Sequence, residues 1–330
     1  MKRMARKVLL AVGLVIYFCR LHHLVIWLGR RTPTVLLYHA CEPVESAGIA
    51  GLGSNRTPEL FAEDLAFLQR YYNVVPLSAL ETSSVPEKAV VLTFDDGYRS
   101  VYEHAFPILL RFGMTATVYL VTDVVGTNQW IWINEFNYLL RSRGAQARPL
   151  ISRSLGCDPE LPVGTLLDLM RSRYDPIRVD LLLKELRQAT GLTGSEHPRM
   201  HLDWSEIAAM IDGGITFGNH TTNHPNMATL DAIRQKEVIG QALSCLTAKL
   251  GTVTSLAYPF GDHNQTSRRI ALEAGHTTIM EVGGVNNPLD LTRVARSILT
   301  GRSDAQRFAE LEIVAPAWGY LKKLSDWWNA

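Results

Sequence analysis

Cysteine is scarce in this 330-residue chain: Cys19, Cys41, Cys157 and Cys245 stand far apart, with no Cys-x-x-Cys spacing. That pattern excludes a thiolate zinc cluster and a disulfide framework, and leaves isolated thiols. Net charge is almost absent at +1, which excludes a dedicated nucleic-acid binder with a strong basic field. Long apolar runs are missing as well. A clean bilayer crossing takes about 20 apolar residues, and the run Val8 to Cys19 stops at twelve before Arg20, His22 and His23 interrupt it. No internal repeat or low-complexity tract is visible. With 47% hydrophobic and 20% charged residues, the chain is globular rather than disordered and long enough for a large core.

One further absence divides the chain. No acidic residue precedes Glu42, whereas seven basic ones do: Lys2, Arg3, Arg6, Lys7, Arg20, Arg30 and Arg31. From Glu42 onward 26 Lys and Arg face 32 Asp and Glu, a net of −6. A basic leader joined to an acidic body reports targeting or a membrane surface. Residues 1–31 therefore read as a membrane-proximal segment and 32–330 as the body. The leader fits an uncleaved signal anchor with its cations in the cytoplasm and the body periplasmic or extracellular. It also fits an interfacial helix on anionic lipid. A cleaved signal peptide is the weaker reading, because no small-x-small site follows the run. Membrane association through residues 8–28 is the expectation, against a basic helix packed on the body. The tail Trp318 to Trp328 reads as a helix docking its tryptophans on the core, or as a second interfacial contact.

After Pro33 strands and helices alternate. Short apolar or β-branched runs predict strands at Thr34–Tyr38, Val74–Val75, Ala89–Thr93, Ala116–Val121, Ile215–Gly218, Ser255–Tyr258 and Thr277–Met280. Helical spacing marks Leu60–Arg70, Tyr98–Phe112, Leu230–Leu250 and Thr266–Ala274. Repeated strand–helix units point to a parallel α/β sheet or barrel, whose chemistry gathers at the C-terminal ends of the strands. Residues 126–198 break the rhythm and read as a helical insertion over one end. Its Trp130, Trp132 and Tyr174 either stack on a ligand in the groove or, more commonly for such aromatics, pack in the core.

Four strand-terminal segments carry chemistry. Thr93-Phe94-Asp95-Asp96-Gly97 sets two carboxylates side by side, which is costly without a cation or donors to compensate them. Gly97 permits the sharp turn that faces both into one mouth. One carboxylate can ligate a metal while the other handles a proton. His220 and His224, four apart, reach a single ion if the turn between them is helical. With Asp96 they make two imidazoles and a carboxylate, leaving positions open for water and substrate. In Tyr258-Pro259-Phe260-Gly261 the unusual backbone suits presenting an amide N–H to an oxyanion. In Tyr38-His39 an imidazole at the mouth could donate a proton, although a core histidine is the ordinary alternative.

Together these segments resemble the polysaccharide deacetylases, carbohydrate esterase family four, also called the NodB homology domain. Val35-Leu36-Leu37-Tyr38-His39, Val74-Val75-Pro76-Leu77, Trp204 and Met210 add to the resemblance, which runs from about Thr34 to Leu299. It implies an α/β fold, a distorted (β/α)7 barrel of the NodB type with a helical insertion. The implied activity is removal of N-acetyl groups from an N-acetylhexosamine poly- or oligosaccharide, of the chitooligosaccharide or exopolysaccharide type. It further implies a divalent metal on Asp96, His220 and His224, zinc first, although nitrogen and oxygen ligands suit cobalt, nickel and iron as well. Asp95 would be the base that deprotonates metal-bound water, and the Phe260 amide would hold the oxyanion.

The chain departs from the family pattern twice. Ala257 occupies the place of the arginine that orients the catalytic aspartate, so Arg293 or Arg296 is expected to supply that charge, with Arg293 assigned to the site. The C-terminal Leu-x-His motif, source of the general acid, is missing near residue 299, while Leu37-Tyr38-His39 stands at the N-terminal end. That resembles the permuted arrangement of the poly-N-acetylglucosamine deacetylases and assigns the acid to His39. Two rival readings remain: a deacylase of a lipid-linked sugar or acetylated xylan, and a carbohydrate-binding relic impaired through Ala257.

Overall fold

A computed structural model describes residues 2–319 apart from 83, 174 and 193–197. The helices are α1 (Lys2–Phe18), α2 (His22–Leu28), α3 (Pro58–Tyr71), α4 (Phe106–Phe112), α5 (Trp132–Ser142), α6 (Gly144–Leu155), α7 (Val163–Ser172), α8 (Pro176–Thr190), α9 (Trp204–Asp212), α10 (Ala232–Leu250), α11 (Gln265–Glu273) and α12 (Asp304–Phe308). The strands are β1 (Thr34–Tyr38), β2 (Asn73–Val74), β3 (Ala89–Phe94), β4 (Thr117–Leu120), β5 (Thr216–Asn219), β6 (Ser255–Ala257), β7 (Thr278–Val282) and β8 (Val294–Ile298).

All strand pairs are parallel, and β1 pairs with both β3 and β8. Seven strands therefore close into a ring in chain order, β1-β3-β4-β5-β6-β7-β8, with the two-residue β2 splinted onto the start of β3. The expected (β/α)7 barrel is what forms. Val35, Val91, Tyr119, Ala257, Met280 and Val294, each from a different strand, pack as one cluster inside the ring. With a side-chain period of two, Arg296 and Asp95 lie on the same inward face, one step and two steps above Val294 and Val91. Every strand ends at the same mouth.

Local chemistry explains the helices around the ring. Thr57 caps α3 and Pro58 occupies its first turn, while Phe61, Leu65 and Leu68 turn to the core. Asp203 and Glu206 form a reciprocal capping box on α9. The helix expected over Tyr98–Phe112 begins instead with a π turn, Val101–Ala105. Pro107 cannot donate to the preceding turn, and the wider turn accommodates that loss.

Helices α5 to α8 occupy the stretch read as an insertion and share a separate apolar cluster that includes Phe136, Ile151, Leu166 and Leu186. Trp130 and Trp132 are buried, 8% and 6% exposed, so they pack rather than stand in the groove. Tyr174 and most of the tail Trp318 to Trp328 lie outside the described residues. The basic leader is seated on the body: Arg6 of α1 pairs with Glu310 at 2.8 Å.

Candidate active site

β3 delivers the two aspartates. Asp95 continues the inward face above Thr93, and Asp96 turns away with φ +71°, followed by Gly97 at +64°. A side chain at Gly97 would also meet Leu120, whose Cδ2 lies 2.8 Å from the position of an added Cβ. Glycine is therefore required twice over, by backbone and by space. Among the described residues six non-glycines have positive φ, and four of them, Asp96, Thr221, His224 and Phe260, belong to the motif segments at the mouth. Such conformations cost on the order of 1–3 kcal/mol each and persist where surrounding contacts over-determine them.

β5 and the loop after it deliver the histidines, but not on the helical turn the spacing suggested. Residues 220–226 form no helix. Asn219 instead accepts the Thr221 N–H at 2.8 Å and donates to Ile239 O at 3.1 Å. With Thr221 and His224 both left-handed, the loop doubles back and brings the imidazole centroids to 5.1 Å. Two positive-φ residues do the work assigned to a helical turn.

Asp96 Oδ1 lies 3.4 Å from His220 Nε2 and 3.1 Å from His224 Nε2. All three residues are buried, and their ligand atoms lie within 4.8 Å of one another. His220 Nδ1 sits 2.7 Å from Ala257 O. Donation to that carbonyl fixes the tautomer and leaves the Nε2 lone pair aimed at Asp96. A lone pair facing a carboxylate oxygen in a buried site is repulsive without a cation between them, so this donor set fits a divalent metal. Zinc, cobalt, nickel and iron all suit it.

The electrostatics follow from burial opposed by close charges. Burial alone would raise the Asp96 carboxyl, but His224 and His220 hold it well below the usual range. Burial pulls both imidazoles down. At His220 the Asp95 and Asp96 carboxylates outweigh it and the pKa rises, whereas at His224 burial prevails and the pKa falls.

Asp95 faces the other way. Arg296 grips it with two parallel bonds, Nη1 to Oδ1 at 2.6 Å and Nη2 to Oδ2 at 2.7 Å. The same guanidinium reaches Thr93 Oγ1 at 3.3 Å and lies 5.5 Å from the Tyr119 ring centroid. Burial pushes the Asp95 carboxyl up, and Arg296 with His220 returns it below its ordinary value. Asp95 Oδ2 stands 3.9 Å from His220 Nε2, so base and ligand set are neighbours.

Arg293 is not the residue at the site. It lies in the turn before β8 and donates from Nε to Glu281 at 3.0 Å, while Arg296, three residues on, points into the barrel. Ala257 is small and inward-facing, which leaves the interior room for a guanidinium entering from β8.

Asp95, Asp96, His220, His224, His39 and Phe260 line one pocket of about 310 Å³. The His224 ring stands edge to face with Phe260, centroids 4.4 Å apart. Phe260 takes φ +60° within a tight turn closed by Gly261 N–H to Tyr258 O at 2.9 Å. Trp132 Nε1 donates to His224 O at 2.8 Å and fixes that loop from the insertion.

Several lining residues carry no mark in the sequence. Ile133 of α5 and Leu167, Asp168 and Arg171 of α7 roof the pocket, and the Arg171 guanidinium lies 5.7 Å from the Phe260 centroid. Nothing in an amphipathic helix marks which turn will overhang a distant mouth. Tyr98 also lines the pocket and stacks on the fully buried His201, centroids 5.3 Å apart. Its place directly after the Asp-Asp-Gly turn was a usable signal. Burial pushes His201 down to about 4, so it is neutral near pH 7.

Comparison with known proteins agrees with this geometry. Over 110 residues the chain is 29% identical to YxkH of Bacillus subtilis, named as a polysaccharide deacetylase, which covers 30% of this chain and 37% of that protein. A 28-residue stretch is 71% identical to the poly-β-1,6-N-acetyl-D-glucosamine N-deacetylase of Escherichia coli, 8% of this chain and 4% of that one. The chain thus spans well under half the length of these relatives. In three dimensions it resembles IcaB of Ammonifex degensii, with a TM-score of 0.58, 20% identity, and coverage of 86% of this chain and 97% of the other. That likeness shows the shared barrel. The family model for polysaccharide deacetylase matches residues 82–279, more than half of the chain and both strongest motifs, and the chain belongs to the polysaccharide deacetylase family.

Proposed function

We propose that this chain is a metal-dependent hydrolase that removes N-acetyl groups from a polysaccharide built of N-acetylhexosamine. The observation that carries the reading is the Arg296–Asp95 clamp beside the Asp96, His220 and His224 set. The family's missing arginine was the ground for a relic, and a guanidinium from another strand stands on the aspartate in its place. The short, highly identical stretch shared with the E. coli enzyme supports a poly-N-acetylglucosamine type of polymer.

A divalent cation bound by Asp96, His220 and His224, zinc first, would polarise the acetamide carbonyl and acidify water. Asp95, kept ionised near neutral pH by Arg296, accepts the proton of the attacking water. The Phe260 N–H donates to the developing oxyanion. His39, which lines the same pocket at the end of β1 beside β3, returns a proton to the leaving nitrogen. The roof from α5 and α7 limits the water that reaches these groups.

The test is acetate release from poly-β-1,6-N-acetylglucosamine, chitooligosaccharides and acetylated xylan by protein of measured metal content. Turnover on the first substrate is the expected outcome. Metal without turnover on any of them would favour the relic, and turnover confined to xylan an esterase.

A further inference from the structure

Large apolar side chains are not exposed evenly over this protein. Seventeen stand exposed among the described residues, and nine of them fall between Met4 and Leu28. On α1 they are ordered: Met4, Val8, Val12 and Val15 recur every three or four residues, within about a quarter of the helix circumference. Phe18 and Leu21 extend the stripe to the break before α2. Exposed contiguous apolar surface of this kind marks an interaction face.

The opposite face of α1 is fixed to the body. At Gly13 an added Cβ would come within 2.4 Å of Ala309 Cβ, so the two backbones cross as closely as glycine and alanine allow. Arg6 reaches Glu310 at 2.8 Å and Thr300 Oγ1 at 3.2 Å. Glu310 also accepts the backbone N–H groups of Thr300 and Gly301, both at 2.8 Å. Near the other end the Tyr17 ring packs on His22 and Phe308, with centroids 4.3 and 5.9 Å apart. Thr300 lines a small pocket that shares His39 with the site, so the start of α1 lies at the mouth of the barrel and the stripe runs down its flank.

Among the described residues no single helix is long and apolar enough to cross a membrane; α1 and α2 together have the length and composition for it, but they are bent by 112° at their break. Crossing would carry the α1 seat, Glu310 included, into hydrocarbon, where a charged group is strongly disfavoured. Lying flat keeps the seat intact and covers the stripe. Exposed Lys7, Arg20 and Arg31 border this surface in a segment with no acid before Glu42, which complements anionic headgroups.

We propose that α1 and α2 form a monotopic seat: the stripe Met4–Val8–Val12–Val15 lies on an anionic bilayer leaflet while the inner face stays docked on the barrel. The surface works independently of the reaction proposed above, so its test reads binding and not turnover. The full chain is floated with phosphatidylcholine vesicles with and without phosphatidylglycerol, at low and high salt. It should float with the anionic vesicles and less so with neutral ones or in high salt. Val8→Asp, Val12→Asp and Val15→Asp combined should lower the floated fraction at least tenfold with an unchanged melting curve, because all three side chains are exposed. Alkaline carbonate should release the protein from cell membranes. Failure to float, flotation unaffected by the triple variant, retention in carbonate, or a stripe-dependent dimer in place of vesicle binding would each overturn the seat.

Discussion

Two buried aspartates, each gripped by arginine, lie on either side of β1, and only one of them faces a cavity. Asp64 of α3 accepts Arg56 through Nε at 2.8 Å and Nη2 at 2.5 Å, Arg307 Nε at 2.6 Å and the Tyr38 hydroxyl at 3.3 Å. Arg307 also holds Glu63 at 2.8 Å, and Arg56 reaches Gly301 O at 2.6 Å. Every direction around Asp64 is taken by protein. Asp95 has one arginine, and the carboxylate edge beyond that clamp opens on the pocket. The chemistry of the pairs is the same. What separates a structural hub from a candidate base is whether the remaining lone pairs meet protein or space for a ligand.

The sharpest way to break this comparison is to neutralise each aspartate and read rate and stability together. Asp95→Asn should lower acetate release by about 10²–10⁴-fold, the usual worth of a placed proton acceptor, while metal analysis finds the cation retained. Near-normal release would remove Asp95 from its role. Asp64→Asn should do the converse. Leaving the buried Arg56 without its carboxylate, and Arg307 with Glu63 and Asp304 alone, costs about 3 kcal/mol in urea unfolding, with activity per folded molecule within a few-fold of the parent. A rate loss as large as that of Asp95→Asn would merge the two regions.

Arg296→Lys sharpens the same contrast on a smaller scale. An ammonium keeps the charge and loses the two-pronged grip, so kcat should fall by about tenfold with KM nearly constant, as expected of a residue that positions Asp95. Arg293→Gln, next door in sequence, should leave the rate alone. The smallest effect concerns the acid that Arg293 does hold. Burial raises Glu281, but His263 and Arg293 outweigh it and bring the carboxyl down to about 2 from an ordinary 4.5. A depressed acid stabilises the fold above its unfolded value and loses that contribution as pH falls toward the folded one. Thermal melts should therefore lose stability between pH 4.5 and 2, and Glu281→Gln should flatten that limb. The Arg293 side chain is 46% exposed, so screening holds the difference to about 1 kcal/mol.

Much of the barrel was legible because its strands are short apolar runs separated by amphipathic helices, and seven of the eight strands follow from such runs. β8 carries an arginine and a serine in five residues and gives no comparable signal, although it closes the ring and supplies Arg296. The aspartate and histidine segments were legible as donor types at strand ends. The path of the loop from His220 to His224 was not, since side-chain capture of Thr221 by Asn219 replaced the expected helical turn. Asp64 carries no signature at all, because Arg307 comes from 243 residues away.

The sequence by itself determined the parallel α/β architecture, the family, the paired aspartates, the histidine set and the basic, acid-free leader. These are properties of residue type and spacing, which local periodicity and chemistry express directly. Only the tertiary structure decided that Arg296 rather than Arg293 meets Asp95, that α7 is a helix of the insertion that overhangs the pocket, and that α1 is docked with its apolar stripe outward. Each of those depends on which inward or outward position a side chain occupies once the ring has closed. Closure is a long-range event: the pairing of β1 with β8 joins residues more than 250 apart, and no local pattern contains it.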